Sequence, residues 1–475
     1  MNARRKTRIM VLASLAAMNG TAHAFDVLRA EQDISATAAG SMVTVCQFAS
    51  MPGRPLRLAE AVERALCNSP KTREAWAAVK AQAAGVGVAR AAYLPTISGN
   101  WQGMRENAVS NIEDHPALSS DIAATVRSAS VNLNWMLFDF GGREAALKNA
   151  NGLLEAARAT QDATLQNFFA STAKDYYAAQ AAMGELEAAH DVEQMTHRSM
   201  LATQMRTDRG VAPVTDALQA QTQHEQAVFS LAKAESDAQT ALGTLASDMN
   251  LDPGMPLEVP PVTEDARTDR TFSTSVEQMI RDVQITHPSV RAAQAQYEAA
   301  LAKVSQTRAQ GLPSISLMAK YSHNNQPQSL GLGLATYPAT GHDAYVGVQV
   351  SIPLFEGFGR HYQIAQARAQ AERQEDAFDD AKRQVALDVW TSYQTLTGAT
   401  KNAENSANLL VIAQRSWEAA RHRYDAGVGN ILELMNTQAA LANAKQRRVQ
   451  ALADWDNARV ELASKLGRLG REELQ

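Results

Sequence analysis

Two stretches of the chain alternate apolar and polar positions with period two. Ala129, Val131, Leu133, Trp135 and Leu137 are interleaved with Ser130, Asn132 and Asn134, and Val346, Val348, Val350 and Ile352 with Gly347, Gln349 and Ser351. Successive side chains of a strand point to opposite faces, so each run predicts a strand of about ten residues with one apolar and one polar face. Alternation also follows Leu94-Pro95, through Ile97, Gly99, Trp101 and Gly103, and Leu312-Pro313, through Ile315, Leu317, Ala319 and Tyr321. These runs predict a first strand in each pair, and in the first pair a polar loop of roughly twenty residues leads to the second. Proline cannot continue a helix and holds its predecessor extended, so each Leu-Pro pair ends the helix before it. Residues 143–208 and 360–425, 66 residues each, contain no proline. Each predicts an unbroken helix, about 100 Å long at 1.5 Å per residue. Helices of that length cannot fold back over a four-stranded sheet, and the predicted object is elongated, with its strands leaving the helical part together.

The pattern occurs twice. Residues 70–98 align without gaps on 288–316, with 13 of 29 positions identical, among them Pro70, Arg73, Arg90, Leu94, Pro95 and Ile97. Leu137-Phe138-Asp139 with Gly142-Arg143 then matches Leu354-Phe355-Glu356 with Gly359-Arg360, and Arg206, Asp208, Gly210, Val211 and Gln221 match Arg423, Asp425, Gly427, Val428 and Gln438. An almost constant offset means two tandem copies of one architectural unit. Repeat 1 spans 57–250, with a helix, a β-hairpin at 96–138, a long helix at 143–208 and a helix at 214–250. Repeat 2 spans 275–475, with a helix, a hairpin at 314–353, a long helix at 360–425 and a helix at 430–467. The linker, 251–274, carries Pro253, Gly254, Pro256, Pro260 and Pro261.

Arg4, Arg5, Lys6 and Arg8 precede an apolar run from Ile9 to Met18, and Ala22-His23-Ala24 offers a small-residue cleavage site. Residues 1–24 therefore read as a secretory signal peptide, and the mature protein as exported. Residues 25–56 lie outside the repeat. The formal charge of −5 argues against nucleic acid as a partner, and 45% hydrophobic with only 6% aromatic residues suits long close-packed helices. No later run of 18 apolar residues supplies a spanning helix. Cys46 and Cys67 are the only cysteines, and sequence leaves open whether they form a disulfide.

Export together with four strands, each apolar on one face, is the signature of an outer-membrane barrel. Four strands cannot close, and open edges are forbidden in lipid, so the chain must pool strands with copies of itself; three copies giving twelve strands is the simplest solution. Hairpins lying on a soluble core would explain the alternation equally well, and a periplasmic coiled-coil scaffold would suit the alanine-rich helices. The four alternating strands speak against the scaffold.

In the order of these motifs, with the turns Arg206-Thr-Asp-Arg-Gly-Val211 and Arg423-Tyr-Asp-Ala-Gly-Val428, the chain resembles the TolC family of outer-membrane export channels over nearly all of its length after about Leu56. The resemblance implies an α+β membrane protein of the cell outer membrane: a homotrimeric twelve-stranded transmembrane β-barrel, four strands per chain, continued by a long α-helical periplasmic tunnel. It implies a passive conduit without cofactor or catalysis. Its partners would be a periplasmic adaptor (membrane fusion protein), an inner-membrane ABC transporter and outer-membrane lipid. The cargo would be a protein toxin of the haemolysin or adenylate-cyclase type in type I secretion, with drug or small-molecule efflux as the alternative.

By the same resemblance Gly210, Val211, Gly427 and Val428 would meet the adaptor, besides capping their helices. Thr215, Asp216, Glu433 and Asn436 match positions that constrict the tunnel entrance, where three-fold symmetry would make each a ring of like groups. Tyr424 is the candidate partner of Asp216. Asn436 stands where relatives place a second acid and Gly429 where they place an arginine, which predicts a weaker ring and the absence of a latch between helix pairs. Plain capping is the alternative, with Asn430 and Glu433 at capping-box spacing and Thr215-Asp216 following Pro213 at a helix start. No HExxH, CxxC, GxSxG or GxxxxGK[ST] pattern occurs, and His190 and His197, seven residues apart, form no metal motif, so no catalytic or metal-binding residue is expected.

Overall fold

The computed structural model describes Leu28 and residues 54–260, 275–326, 328–329 and 336–469. The leader, most of 25–56 and Cys46 fall outside them. Cys67 is disulfide-bonded.

The helices are α1 Leu58–Asn68, α2 Pro70–Ala91, α3 Gly142–Asp208, α4 Val214–Asp248, α5 Val276–Thr286, α6 Pro288–Ala309, α7 Gly359–Asp425 and α8 Ile431–Lys465. The strands are β1 Thr96–Ser110, β2 Ser120–Phe138, β3 Ser314–Asn324, β4 Gln328–Ser329, β5 Thr336–Tyr337 and β6 Gly341–Ser351. Three expectations need correction. The single helix opening each copy is two helices, because Ser69 and His287 are extended immediately before Pro70 and Pro288, as the clash with the proline ring requires. The polar loop of the first hairpin is mostly strand, since β1 and β2 run to 15 and 19 residues and the connection shrinks to the segment around the short 3₁₀ turn Pro116–Leu118. The second hairpin carries an extra two-stranded ladder, β4 with β5.

The chain divides into two compact units that do not coincide with the two copies, since each draws on both. The first contains residues 80–154 and 298–373. Its centre is a four-stranded antiparallel sheet in the order β1-β2-β3-β6, the two hairpins joined by the β2–β3 ladder. Register places Ile97, Leu133, Ala319 and Val346 in one row, Gly99, Val131, Tyr321 and Ala344 in the next, and Trp135, Leu317 and Val348 on the other side. These side chains share a face. The opposite face carries Ser98, Asn132, Lys320 and Tyr345, then Asn100, Ser130, Ser322 and Asp343. The apolar face is open: Trp101 is 74% and Val348 62% exposed.

The repeated Leu-Phe-Asp/Glu and Gly-Arg motif builds the junction from strand to helix. Arg143 returns to the carbonyls of Met136 (2.6 Å) and Leu137 (3.0 Å), lies 4.8 Å from the Tyr93 ring, and its backbone N–H donates to Asp139 Oδ2 (2.7 Å). In the second copy Arg360 forks onto Glu356 at 3.0 and 2.9 Å and donates to Gln310 (3.1 Å). Phe140 (φ 50°) and Phe358 (φ 63°) are left-handed beside Gly141 and Gly357, a conformation bulky residues rarely take. Their rings meet Phe138 and Phe355 edge-on at 4.8 and 5.6 Å.

The second unit, essentially helical, has its own cores. Val283, Val290, Val389 and Leu462 form one; Leu56, Tyr176, Leu245 and Met249 form another; Val62, Leu165, Phe169 and Ala173 form a third. Leu56, the last residue before the repeat, is 1% exposed, accepts the Tyr176 hydroxyl proton (2.9 Å) and donates its own N–H to Glu258 O (2.7 Å). Burial pushes the Tyr176 phenol up to about 12. Asp248 is pushed up to about 7, by burial first and then by its hydrogen bond and repulsion with Asp175, with Lys71 opposing.

Candidate functional site

The predicted site residues lie in the second unit, at the two turns joining α3 to α4 and α7 to α8. Both turns are Schellman motifs. Gly210 (φ 72°) donates to Thr207 O (2.9 Å) and Val211 to Arg206 O (2.9 Å), while Gly427 (φ 77°) donates to Tyr424 O (3.0 Å) and Val428 to Arg423 O (3.0 Å). The left-handed glycines satisfy carbonyls the helix ends would leave unpaired. In such a motif the apolar residue after the glycine commonly packs back on the helix. Here Val211 and Val428 are 76% and 73% exposed, so both turns present an unpartnered valine.

Gly429 explains itself by close approach. A Cβ there would lie 2.7 Å from Tyr424 N and 2.8 Å from Arg423 C, because the Gly429 N–H also donates to Arg423 O (2.9 Å). The tight turn admits no side chain at this position without moving backbone.

Thr215 and Asp216 sit in the first turn of α4, with Pro213 as the residue before it and no side-chain cap. Thr215 is exposed and Asp216 half-buried. Glu433 and Asn436 occupy the corresponding start of α8, Glu433 half-buried and Asn436 exposed. Asn430 is the N-cap, but its side chain accepts from Leu432 N (3.0 Å), so it bends into its own turn. The Glu433 carboxylate instead faces Arg423 at 3.4 Å. The capping box expected from the spacing of Asn430 and Glu433 is therefore replaced by an Asx turn and an ion pair.

Tyr424 lies at the end of α7. Its ring is buried with Ile431 and Leu434, its hydroxyl lies 3.1 Å from Thr203 Oγ1, and the Arg206 guanidinium stacks 4.5 Å from the ring centroid. Arg206 also reaches Asp425 O (3.4 Å). Among the described residues no hydrogen bond joins Tyr424 to Asp216. The structure thus couples the two copies through Thr203, Arg206 and Tyr424. Arg206 was visible as half of a repeated Arg pair. Thr203 carried no sequence signal, since the equivalent position of the second copy is Ala420. Further along the same helices Gln438, 2% exposed, donates to Ser199 Oγ (2.6 Å).

Among the described residues no helix is long and apolar enough to cross a membrane. Among them too, no group of three or more His, Cys, Asp or Glu side chains is arranged to hold a metal ion.

The outer membrane efflux protein family matches residues 61–250 and again 279–468, the two copies read from the repeat. The chain is similar to protein CyaE of Bordetella pertussis, 30% identical over 99% of this chain and 97% of that one. It is similar to the alkaline protease secretion protein AprF of Pseudomonas aeruginosa, 26% identical over 73% of this chain and 71% of that one. Its fold matches the outer membrane protein VceC of Vibrio cholerae at a TM-score of 0.72, with 18% identity over 86% of this chain and 96% of that one. A doubled family match, a full-length relative and a shared mostly helical fold with a small sheet converge on one assignment: this chain belongs to the outer membrane efflux protein family, the TolC-like channels of the cell outer membrane with a periplasmic helical domain.

Proposed function

We propose that three copies of this chain close a twelve-stranded barrel through the outer membrane and serve as the passive conduit of a tripartite export system. One observation carries the reading: β1 and β6 are the unpaired edges of a four-stranded sheet that is apolar on one open face. In lipid, unpaired strand N–H and C=O groups have no partner, so a β1 edge must be met by a β6 edge of another copy. The Phe138–Phe140 and Phe355–Phe358 pairs stand where the strands end, as aromatic belts do at a bilayer boundary. Mass measurement of the detergent-solubilised protein tests the assembly. A trimer is expected, and a stable folded monomer would overturn it.

The conduit does no chemistry and is opened by a periplasmic adaptor and an inner-membrane ABC transporter. The exposed Val211 and Val428 beside left-handed glycines offer the adaptor a surface where backbones can approach closely. Thr215, Asp216, Glu433 and Asn436 line the closed mouth, Asp216 and Glu433 as rings of three carboxylates that concentrate cations. Tyr424 holds the two turns of one copy together. The cargo is a protein toxin exported by type I secretion, a reading supported by similarity to CyaE over the whole chain and to a protein named for protease secretion. Small-molecule efflux is the alternative, favoured by the family's own description. Deleting the gene and measuring secreted protein beside drug susceptibility separates them: lost secretion with unchanged susceptibility is expected, and the reverse would assign efflux.

A further inference from the structure

The apolar face of the sheet ends abruptly. Its rows run from Ile315 and Val350, through Leu317, Ala319 and Tyr321, to a last row of Trp101, Ala129, His323 and His342. Ile315 to His323 is eight residues, about 27 Å along the strand, close to the height of a lipid-facing band once strand tilt is allowed for. β1 and β2 do not stop there. They stay in register to Ser110 and Ser120, and the next positions on the same face are Arg127, opposite Gly103, and Arg105, opposite Thr125. Both arginines are exposed, and neither enters an ion pair among the described residues. Their positions are diagonal neighbours, within reach of one another for side chains this long. Arg127 is further fixed by its backbone, whose N–H donates to Asn325 Oδ1 (2.5 Å) and whose carbonyl accepts from Asn325 N (3.2 Å).

We infer that Arg105 and Arg127 form a binding site for the phosphate groups of an anionic outer-leaflet lipid, with Trp101 packing against the start of its acyl region. The inference rests on the barrel reading above, which turns this face to lipid. The site lies at the strand ends away from the helix junctions at Thr96 and Phe138, and the helices are periplasmic, so this end faces the outer leaflet. Guanidinium groups match phosphate oxygens in fork geometry, and tryptophan prefers the bilayer boundary. Continuity with the apolar face distinguishes a lipid from a soluble phosphate, because only a lipid fills both the arginine pair and the band below it. The polar face offers no such pair at this level, carrying Met104, Glu106 and Val126 instead.

Native mass spectrometry of the full-length detergent-solubilised protein tests this, titrating bisphosphorylated lipid A, the same lipid without phosphates, and phosphatidylcholine. The Arg105→Ala/Arg127→Ala protein should bind bisphosphorylated lipid A about thirtyfold more weakly, two side chains at the increment of one basic group near an anionic surface. The Arg105→Lys/Arg127→Lys protein, which keeps the charge without the fork, should recover only part of the loss, and phosphatidylcholine binding should not change. Equal lipid A affinity in wild type and the alanine pair would overturn the site while leaving the barrel standing. Competition by inorganic phosphate as effective as that by the lipid would overturn the lipid assignment. Failure of the wild type to retain bisphosphorylated lipid A would overturn the site, whereas a monomer mass in the same spectra would overturn the barrel reading and this inference together.

Discussion

The Tyr424 hydroxyl stands 3.1 Å from the hydroxyl of Thr203, which ties the end of the second long helix to the end of the first. The ring is buried and capped by the Arg206 guanidinium, so the turn of each copy is held by the other. A double-mutant cycle of Thr203→Ala and Tyr424→Phe should return a coupling of about 1 kcal/mol, the net worth of a buried hydrogen bond. Denaturation followed by helical signal measures it, and independent effects would mean that the hydroxyls do not bond.

Neutralising the mouth should change permeation more than stability. Glu433 is already partly offset by Arg423, whereas no ion pair is formed by Asp216 among the described residues. Asp216→Asn should therefore weaken block by a trivalent cation more than Glu433→Gln does. Single-channel recording reads the difference; unchanged block in both, with at most the loss of about 0.3 to 1 kcal/mol typical of an acid removed from the first turn of a helix, would reduce these residues to helix ends.

Strand parity gives a sharper contrast. Val346 belongs to the middle row of the open apolar face and Gln349 to the polar face, so Val346→Arg should cost about 2 to 4 kcal/mol at mid-membrane and impair trimer assembly. Gln349→Arg, pointing to an aqueous lumen, should assemble normally. Equal yields of folded trimer from the two variants would remove the barrel.

Asp248 predicts a pH dependence. Its folded pKa of about 7 lies above the unfolded value, so the proton is held more tightly when folded. The associated stability is fully present below about pH 4, falls as pH rises through 7, and stays low above it. Asp248→Asn, which keeps the neutral shape, should raise the unfolding free energy at pH 8 relative to wild type by about 1 kcal/mol after discounting for a half-exposed group. The two should converge near pH 4. A constant difference across that range would show that Asp175 and Asp248 do not share a proton.

Sequence alone determined the elements whose cause is local. The repeat, the long proline-free helices, the turn glycines and the strand parity follow from covalent and steric rules that act within a few residues: proline's missing N–H, glycine's left-handed freedom, the two-residue period of a strand. The breaks at Ser69 and His287 obey the same rule, and the prolines were in view, but the alanine-rich pattern ran through them. What only the tertiary structure decided are pairings between distant segments. The length of β1 depends on β2 offering partners as far as Ser120, which the polar composition of the segment conceals. Tyr424 turns to Thr203, 221 residues away in sequence, because the ends of the two long helices are brought side by side, whereas Glu433 turns to Arg423 across its own turn. The two copies exchange segments to build both compact units. A repeat records what each copy is made of; which copy completes which core is set by packing between them, and no local pattern carries that.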